Sequence, residues 1–259
     1  MTEQSSPLDY AAPEFWGRWE RLSAPVTSEL MADAKIGEGE HVVDIGCGAG
    51  LATFAAAEAT GSSGTVVAFD LSTGALALVQ ARAVERGVTN VETAEGDIER
   101  DDIPGAPFDL ALNQFGLTFA TDLPATFSQI RRQLRPRGRC VFAAWAKADQ
   151  NPLLPMPLLA NYRVGAADQD PFAMAVPAAT REALQQAGFE DVSSRTVETT
   201  HVVPLETIYD DSMVAGLGVD EPESARIRLE ILERISAFGV ADGYAVPLVF
   251  HVFSAINPG

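Results

Sequence analysis

The stretch VVDIGCGAG, residues 42–50, decides how the chain is read. An apolar run ends in an acid, Asp44, and side chains are then given up at Gly46, Gly48 and Gly50. A strand that turns through glycines into a helix presents free backbone N–H groups and lets a ligand approach the chain closely. Dinucleotide sites favour G-x-G-x-x-G, with the pyrophosphate resting on the helix N-terminus. Here the third glycine arrives one residue early and a carboxylate precedes the turn. That suits a ligand with a positively charged amino-acid end better than one with a pyrophosphate.

Outward from this turn the pattern alternates. HVVDI (41–45) reads as a short buried strand and the alanine-rich 51–60 as a helix. TVVAFDLS (65–72) is a second strand ending in an acid, followed by a helix over about 73–86. Residues 90–99 read as a third strand ending near Asp97, and 107–116 as a fourth. A helix follows over about 123–134, then a fifth strand over 138–146. Strands alternating with helices of this length imply a doubly wound, mostly parallel sheet. The rhythm breaks after Trp145, where Pro152, Pro155, Pro157, Pro171 and Pro177 exclude a sheet interior. Beyond lie a helix ended by Gly188, an extended run over about 191–203, a helix over 222–238 with one apolar face, and a last strand from Tyr244.

At 259 residues the chain can bury a sizeable core. Its 18 basic and 36 acidic residues leave a formal charge of −18, which argues against nucleic acid or an anionic membrane as partner. The N-terminal stretch lacks the basic start and apolar core of a signal peptide, and no run of about 18 apolar residues predicts a membrane span. Cys47 and Cys140 do not form a CxxC pair, and a reduced cytoplasmic compartment is the simple expectation.

Two further acids accompany the turn. Asp70 stands 20 residues after Gly50, where a carboxylate can accept hydrogen bonds from both ribose hydroxyls. This acid alone fits NAD equally well. Asp97, in GDIE, could take an adenine amino group while Ile98 packs on the ring. An Asp at a strand end is often only a helix cap, but three at successive strand ends beside this turn are harder to assign to capping. S-adenosylmethionine (SAM) carries an ammonium and a sulfonium and no phosphate, and it matches this set.

These residues resemble the class I SAM-dependent methyltransferases. VVDIGCGAG is similar to their motif I, VVAFDLS to their ribose-binding strand end and GDIE to their adenine motif. Residues 108–145 resemble their strand-four to strand-five unit. The nearest subgroup is the ubiquinone/menaquinone-type small-molecule methyltransferases, which Trp145, NPLL and DPFAMAVPAATREALQQAGF also resemble. One departure is LRPRGR, where Arg137 replaces the first of two glycines and would perturb a turn rather than chemistry. The resemblance implies a seven-stranded Rossmann-like sheet with an antiparallel last strand and a helical cap. It also implies one SAM-methyltransferase domain over 1–259, with a helical lid at 1–40 and a cofactor-binding core at 41–146. Residues 147–259 would supply a substrate loop, a cap helix and the C-terminal strands.

Carried over position by position, the resemblance implies that Asp44 and the backbone at Gly46, Cys47 and Gly48 hold the methionine end. Asp70 would hold the ribose, and Leu71 would pack on the adenine framed by Asp97 and Ile98. Asn113 would offer its carbonyl towards the ammonium, with Phe115 near the sulfonium. S-adenosylhomocysteine (SAH) would be the product.

Methyl transfer to a held nucleophile needs alignment, and it needs a general base only if the acceptor stays protonated. No catalytic dyad stands out. Tyr10, His201 and Tyr244 are the weak candidates for a base. His41 lies at the wrong strand end, and His251 reads as a satisfied structural histidine. Trp16 and Trp19, with Phe15, either pack on the sheet rim or form a lid that stacks on the acceptor. Met156, Leu159, Tyr162 and Met213 are apolar acceptor contacts in the variable inserts. The arginines of RRQLRPRGR read as a solvated rim; no metal site is expected.

The leading reading is therefore methyl transfer from SAM to O, C or N of a small, apolar or aromatic molecule, by in-line displacement. A homodimer is left open. A non-methylating SAM-binding cyclase of the same fold, or a non-catalytic SAM-binding module, would carry the same motif. An NAD enzyme is disfavoured by the glycine spacing.

Overall fold

A computed structural model of the chain describes residues 13–153, 172–203 and 221–259. Helix α1 (Pro13–Ala34) precedes β1 (His41–Ile45), α2 (Leu51–Thr60), β2 (Thr65–Asp70), α3 (Thr73–Arg86) and β3 (Val91–Glu95). Then come β4 (Phe108–Gln114), a 3-10 turn (Gly116–Phe119), α4 (Leu123–Gln133) and β5 (Leu134–Trp145). The later elements are α5 (Pro177–Gln186), β6 (Glu190–Val203), α6 (Glu221–Ile235), β7 (Gly239–Val240) and β8 (Gly243–Ile256).

Local chemistry sets these boundaries. The Ser72 hydroxyl accepts the Ala75 N–H to start α3, and Gly87 ends that helix in the left-handed conformation. Asp122 caps α4 in the same way through Ala125. Both β1 and β4 are almost wholly buried, as expected of central parallel strands covered on two faces. Helix α2 turns Ala52, Ala56 and Ala57 inward, so small side chains bring it close to the sheet.

The strands pair in the order β3-β2-β1-β4-β5-β8-β6, with β7 on the side of β8. Pairs from β3 to β5 are parallel, and β8 runs antiparallel to both β5 and β6. The fold is the expected doubly wound sheet with a reversed last strand, and the two-residue β7 is the addition. One core layer joins Ile45, Phe108, Phe127, Phe142 and Phe253 to α4 and α5; the other joins Leu110, Leu112, Phe250 and Trp145 to α1 and α2. Strand order reverses between β1 and β4, so their carboxyl ends diverge into a crevice, the usual ligand position in open α/β sheets.

Strands β6 and β8 overrun this carboxyl edge. Trp145 ends β5 opposite Phe250, yet the β8–β6 ladder continues to Tyr244 opposite Val203. Against this projecting ladder, Ile231 and Ile235 of α6 pack on Val246, with Leu22 of α1 and Leu153 alongside. The cap helix and the first helix thus meet on one side of the edge.

One strand end is adjusted. Strand β3 stops at Glu95, so Asp97 lies in the turn beyond it, where its carboxylate accepts the Glu99 N–H at 2.9 Å. Arg137 lies within β5, where the register with β4 shifts between the Phe108–Leu134 and Leu110–Arg139 pairs, and adopts φ +67°, a left-handed conformation costly for a side chain. Arg137 is exposed and ties down only its backbone N–H, to the Asn257 carbonyl at 2.8 Å. Arg137→Gly is expected to raise the unfolding free energy by about 0.5–1 kcal/mol, because relief of strain exceeds the extra entropy of glycine. Urea denaturation checks this; a lower midpoint at unchanged slope would contradict it.

Candidate active site

Everything at the crevice is arranged around the glycine turn. Gly46, Gly48 and Gly50 all have positive φ, at 66°, 51° and 88°. The Gly46 and Cys47 N–H groups donate to the Phe69 carbonyl at 2.7 and 3.2 Å, tying the turn to the end of β2. A Cβ on Gly46 would lie 3.1 Å from the Cα of Gly116, and one on Gly116 would lie 2.6 Å from Asn113 Nδ2. The two loops that flank the switch point therefore touch backbone to backbone.

Asn113 locks this contact from below. Its Nδ2 donates to the Ile45 carbonyl at 2.5 Å and its Oδ1 accepts the Leu117 N–H at 3.1 Å. With its side chain spent inside the protein, Asn113 can offer a ligand its backbone only. Phe115 follows with φ +67°, and strain of this kind in a bulky residue concentrates at functional turns. Its ring stacks on Trp145, with centroids 3.6 Å apart, and sits 5% exposed in the core beneath the edge.

Asp44 and Asp70 take different places. Asp44 is 1% exposed and points under the turn, where the Thr53 hydroxyl donates to it at 2.6 Å. Burial pushes its carboxyl up to about 7, and the charge of Asp70 adds to the rise; the hydrogen bonds from Thr53 oppose it. Asp70, at the end of β2, accepts the Gly48 N–H on Oδ2 at 2.8 Å and the Ser72 N–H on Oδ1 at 2.9 Å. Next to it Leu71 is 55% exposed, an apolar side chain held at the rim. Cys47, in the turn, is buried, and burial together with Asp70 and Asp44 drives its thiol pKa well up.

Asp97 and Ile98 lie on the far side of β2. Asp97 is partly buried, and Ile98 packs against the core from the turn after β3. Four residues that the sequence reading did not single out complete the rim. Glu99 accepts from the Thr121 and Asp122 N–H groups and the Thr126 hydroxyl, at 2.7, 3.0 and 3.2 Å, joining this turn to the start of α4. Burial alone would raise its pKa, but these donors hold it below the usual value. Gln114 accepts from the Thr27 hydroxyl at 2.8 Å, docking α1 on the end of β4. Arg82 of α3 donates to the Ala49 carbonyl at 2.7 Å and pairs with Glu20 of α1. A charged residue in the 20-23-27-30-34 stripe of α1, otherwise buried lower down, was the available signal.

Of the base candidates, His201 faces the same side of the projecting ladder as Val246, and burial lowers its pKa. Tyr244 packs with the Ile231 and Ile235 cluster. His41 is bonded to Thr65 and the Gly105 carbonyl at the opposite sheet edge, and His251 to Thr196 and the Ala175 carbonyl. Tyr10, Met156, Leu159, Tyr162 and Met213 lie outside the described residues. The backbones of Trp16 and Trp19 belong to α1, but their side chains are also outside that description.

The donor set can be tested against a ligand class. The charge of Asp70 raises the proton affinity of Asp44, and both carboxylates raise that of Cys47, a field that disfavours phosphate and favours a cation. With an exposed leucine beside a ribose-type carboxylate, they fit a cationic nucleoside. The fold and this edge define a SAM-dependent methyltransferase.

The comparisons agree. Residues 36–200 match the family described as "Methyltransferase domain", and the chain belongs to that family. Over 158 residues it is 32% identical to aklanonic acid methyltransferase DauC of Streptomyces sp. (strain C5), covering 59% of this chain and 67% of that protein. Over 183 residues it is 30% identical to nocamycin O-methyltransferase of Saccharothrix syringae, covering 65% of each. The chain thus spans about two thirds of these relatives. Demethylmenaquinone methyltransferases match over shorter stretches, one from Geobacillus at 29% identity over 113 residues, 44% of this chain and 48% of that protein. Among solved structures, the [4+2]-cyclase SpnF shares the fold with a TM-score of 0.60 at 18% identity, over 93% of this chain and 82% of that one. By family and fold the chain is a SAM-dependent methyltransferase of the small-molecule type, with SAM as its cofactor.

Proposed function

We propose that the chain moves the methyl group of SAM to an O, C or N nucleophile of a small, apolar or aromatic molecule, chiefly by positioning. The observation that carries the reading is the acidic glycine turn: Asp44 beneath it, Asp70 beside it and Leu71 exposed at its rim. Bound SAM supplies an activated methyl on a sulfonium, whose sulfur keeps the electron pair of the breaking bond.

The residues divide the work. Backbone at Gly46, Cys47, Gly48 and Asn113 would face the methionine end. Asp44, with no open surface of its own, would act on that cation through its field. Asp70 would bind the ribose hydroxyls, and Leu71, Asp97 and Ile98 would frame the base. Phe115 sets the shape of the β4 turn from the core instead of lining open space. The acceptor would lie between this edge and the projecting β6–β8 ladder, where His201 and Tyr244 share a face with the cap helix. Trp16, Trp19, Met156, Leu159, Tyr162 and Met213 are proposed to line it. We place this activity in one domain working in the cytoplasm on free metabolites; a net charge of −18 disfavours nucleic acid as substrate.

The test is incubation with methyl-labelled SAM and a panel of small acceptors beginning with aklanonic acid, the compound named for one relative. Label in the product with equimolar SAH is the expected result. Turnover of an acceptor without SAH would replace this reading with the cyclase.

A further inference from the structure

The bridge from α3 through Arg82 reaches both α1 and the glycine turn. We propose that Arg82 and Glu20 form a latch that couples the position of α1 to the conformation of the cofactor turn, making Arg82 a positioning residue. The inference rests on the assignment of that turn to SAM.

Helix α1 runs from above the carboxyl edge down to the opposite edge, where Arg139 takes the Ala34 carbonyl at 2.7 Å. Val26, Leu30 and Ala34 anchor its lower half in the core with no exposure. The same stripe carries polar residues at Thr27 and Ser23, both buried, and at the half-buried Glu20 further up. Thr27 and the Ser23 carbonyl meet Gln114 at the end of β4, and Glu20 reaches Arg82 one turn higher.

Pro25 lies between the anchored half and the upper one. It removes one i→i−4 hydrogen bond, so the helix is weakest where its upper part begins. Leu22 still packs on the Ile231, Ile235 and Val246 cluster, and what ties that part to the glycine turn itself is the polar link. Nη1 of Arg82 gives hydrogen bonds both to Glu20 and to the carbonyl of Ala49, between Gly48 and Gly50. That carbonyl is held towards α3, in a turn whose Gly46, Cys47 and Gly48 N–H groups are bonded to Phe69 and Asp70 at the end of β2. Side-chain exposure of 14% for Arg82 and 21% for Glu20 keeps the pair from full hydration. Movement of the upper helix therefore pulls on the turn, and a ligand that orders the turn orders the helix.

The experiment measures SAM affinity and dissociation rate by calorimetry and stopped flow for the unaltered protein, Glu20→Gln, Arg82→Gln, the double variant and Asp70→Ala. Hydrogen exchange along α1 is followed with and without SAM. Glu20→Gln and Arg82→Gln are expected to weaken binding roughly 5- to 20-fold, mainly through faster dissociation, as tends to hold for changes within one binding site. The double variant should be no weaker than Arg82→Gln, because both residues act through one link. SAM should slow exchange above Pro25 in the unaltered protein and much less in Glu20→Gln.

A purely structural pair would lower the melting temperature and leave affinity, dissociation and SAM-dependent protection alone; that result overturns the latch. Loss of affinity in Asp70→Ala with none in the latch variants would reject the latch and keep the cofactor site. No binding by the unaltered protein would reject both.

Discussion

Asp70→Ala should weaken SAM binding by about 1–3 kcal/mol, roughly 5- to 150-fold, the range for losing hydrogen bonds in a partly buried site. Two losses coincide. The ribose hydroxyls lose their acceptor, and the N–H groups of Gly48 and Ser72 lose the carboxylate that now receives them at 2.8 and 2.9 Å. The second loss acts before any ligand arrives, since it frees the glycine turn from the end of β2. Asp70→Asn separates the two, because its amide oxygen can still accept one N–H. It is expected to recover most of the melting temperature but only part of the affinity. Calorimetric titration with SAM and SAH checks both variants, and unchanged affinity in Asp70→Ala would remove the ribose from this position.

This coupling also shows why the sequence conveyed the site's membership better than its wiring. Asp44, Asp70 and the glycines were legible because a strand period, an acid and a run of positive-φ positions leave local marks. So did the order of strands and helices, down to α3, whose limits matched the reading. Residues 90–99 were read as one strand ending near Asp97; the Asp97–Asp101 and Asp97–Glu99 turn bonds that follow β3 involve side chains with no periodic signature. Asn113 was assigned to the ammonium by the family resemblance alone. Its actual partners, Ile45 and Leu117, are set by the pairing of β1 with β4. The contact of Gly46 with Gly116 and the bridge through Arg82 join segments 70 and 33 residues apart, and no local pattern encodes such distances.

Asp44 should make SAM binding depend on pH with a defined sign. Its carboxyl is raised from the usual 3.8 to about 7, so the folded apo protein holds a proton that the unfolded chain has released. Stability from this group is thus greatest at low pH, falls as pH rises from about 4 to about 7, and is flat above. A cationic ligand favours the ionised form, so below pH 7 binding expels that proton. Affinity should therefore climb about tenfold between pH 6 and pH 8 and then level, the size set by a group of pKa near 7 ionising on binding. Calorimetry in buffers of different ionisation heat would register the proton at pH 6 and none at pH 8. Asp44→Asn keeps an acceptor for Thr53 and cannot ionise; it should flatten both profiles, with tighter folding and weaker SAM binding at pH 8. A variant that still shows the tenfold climb would assign the proton to another group and take the buried charge out of cofactor recognition.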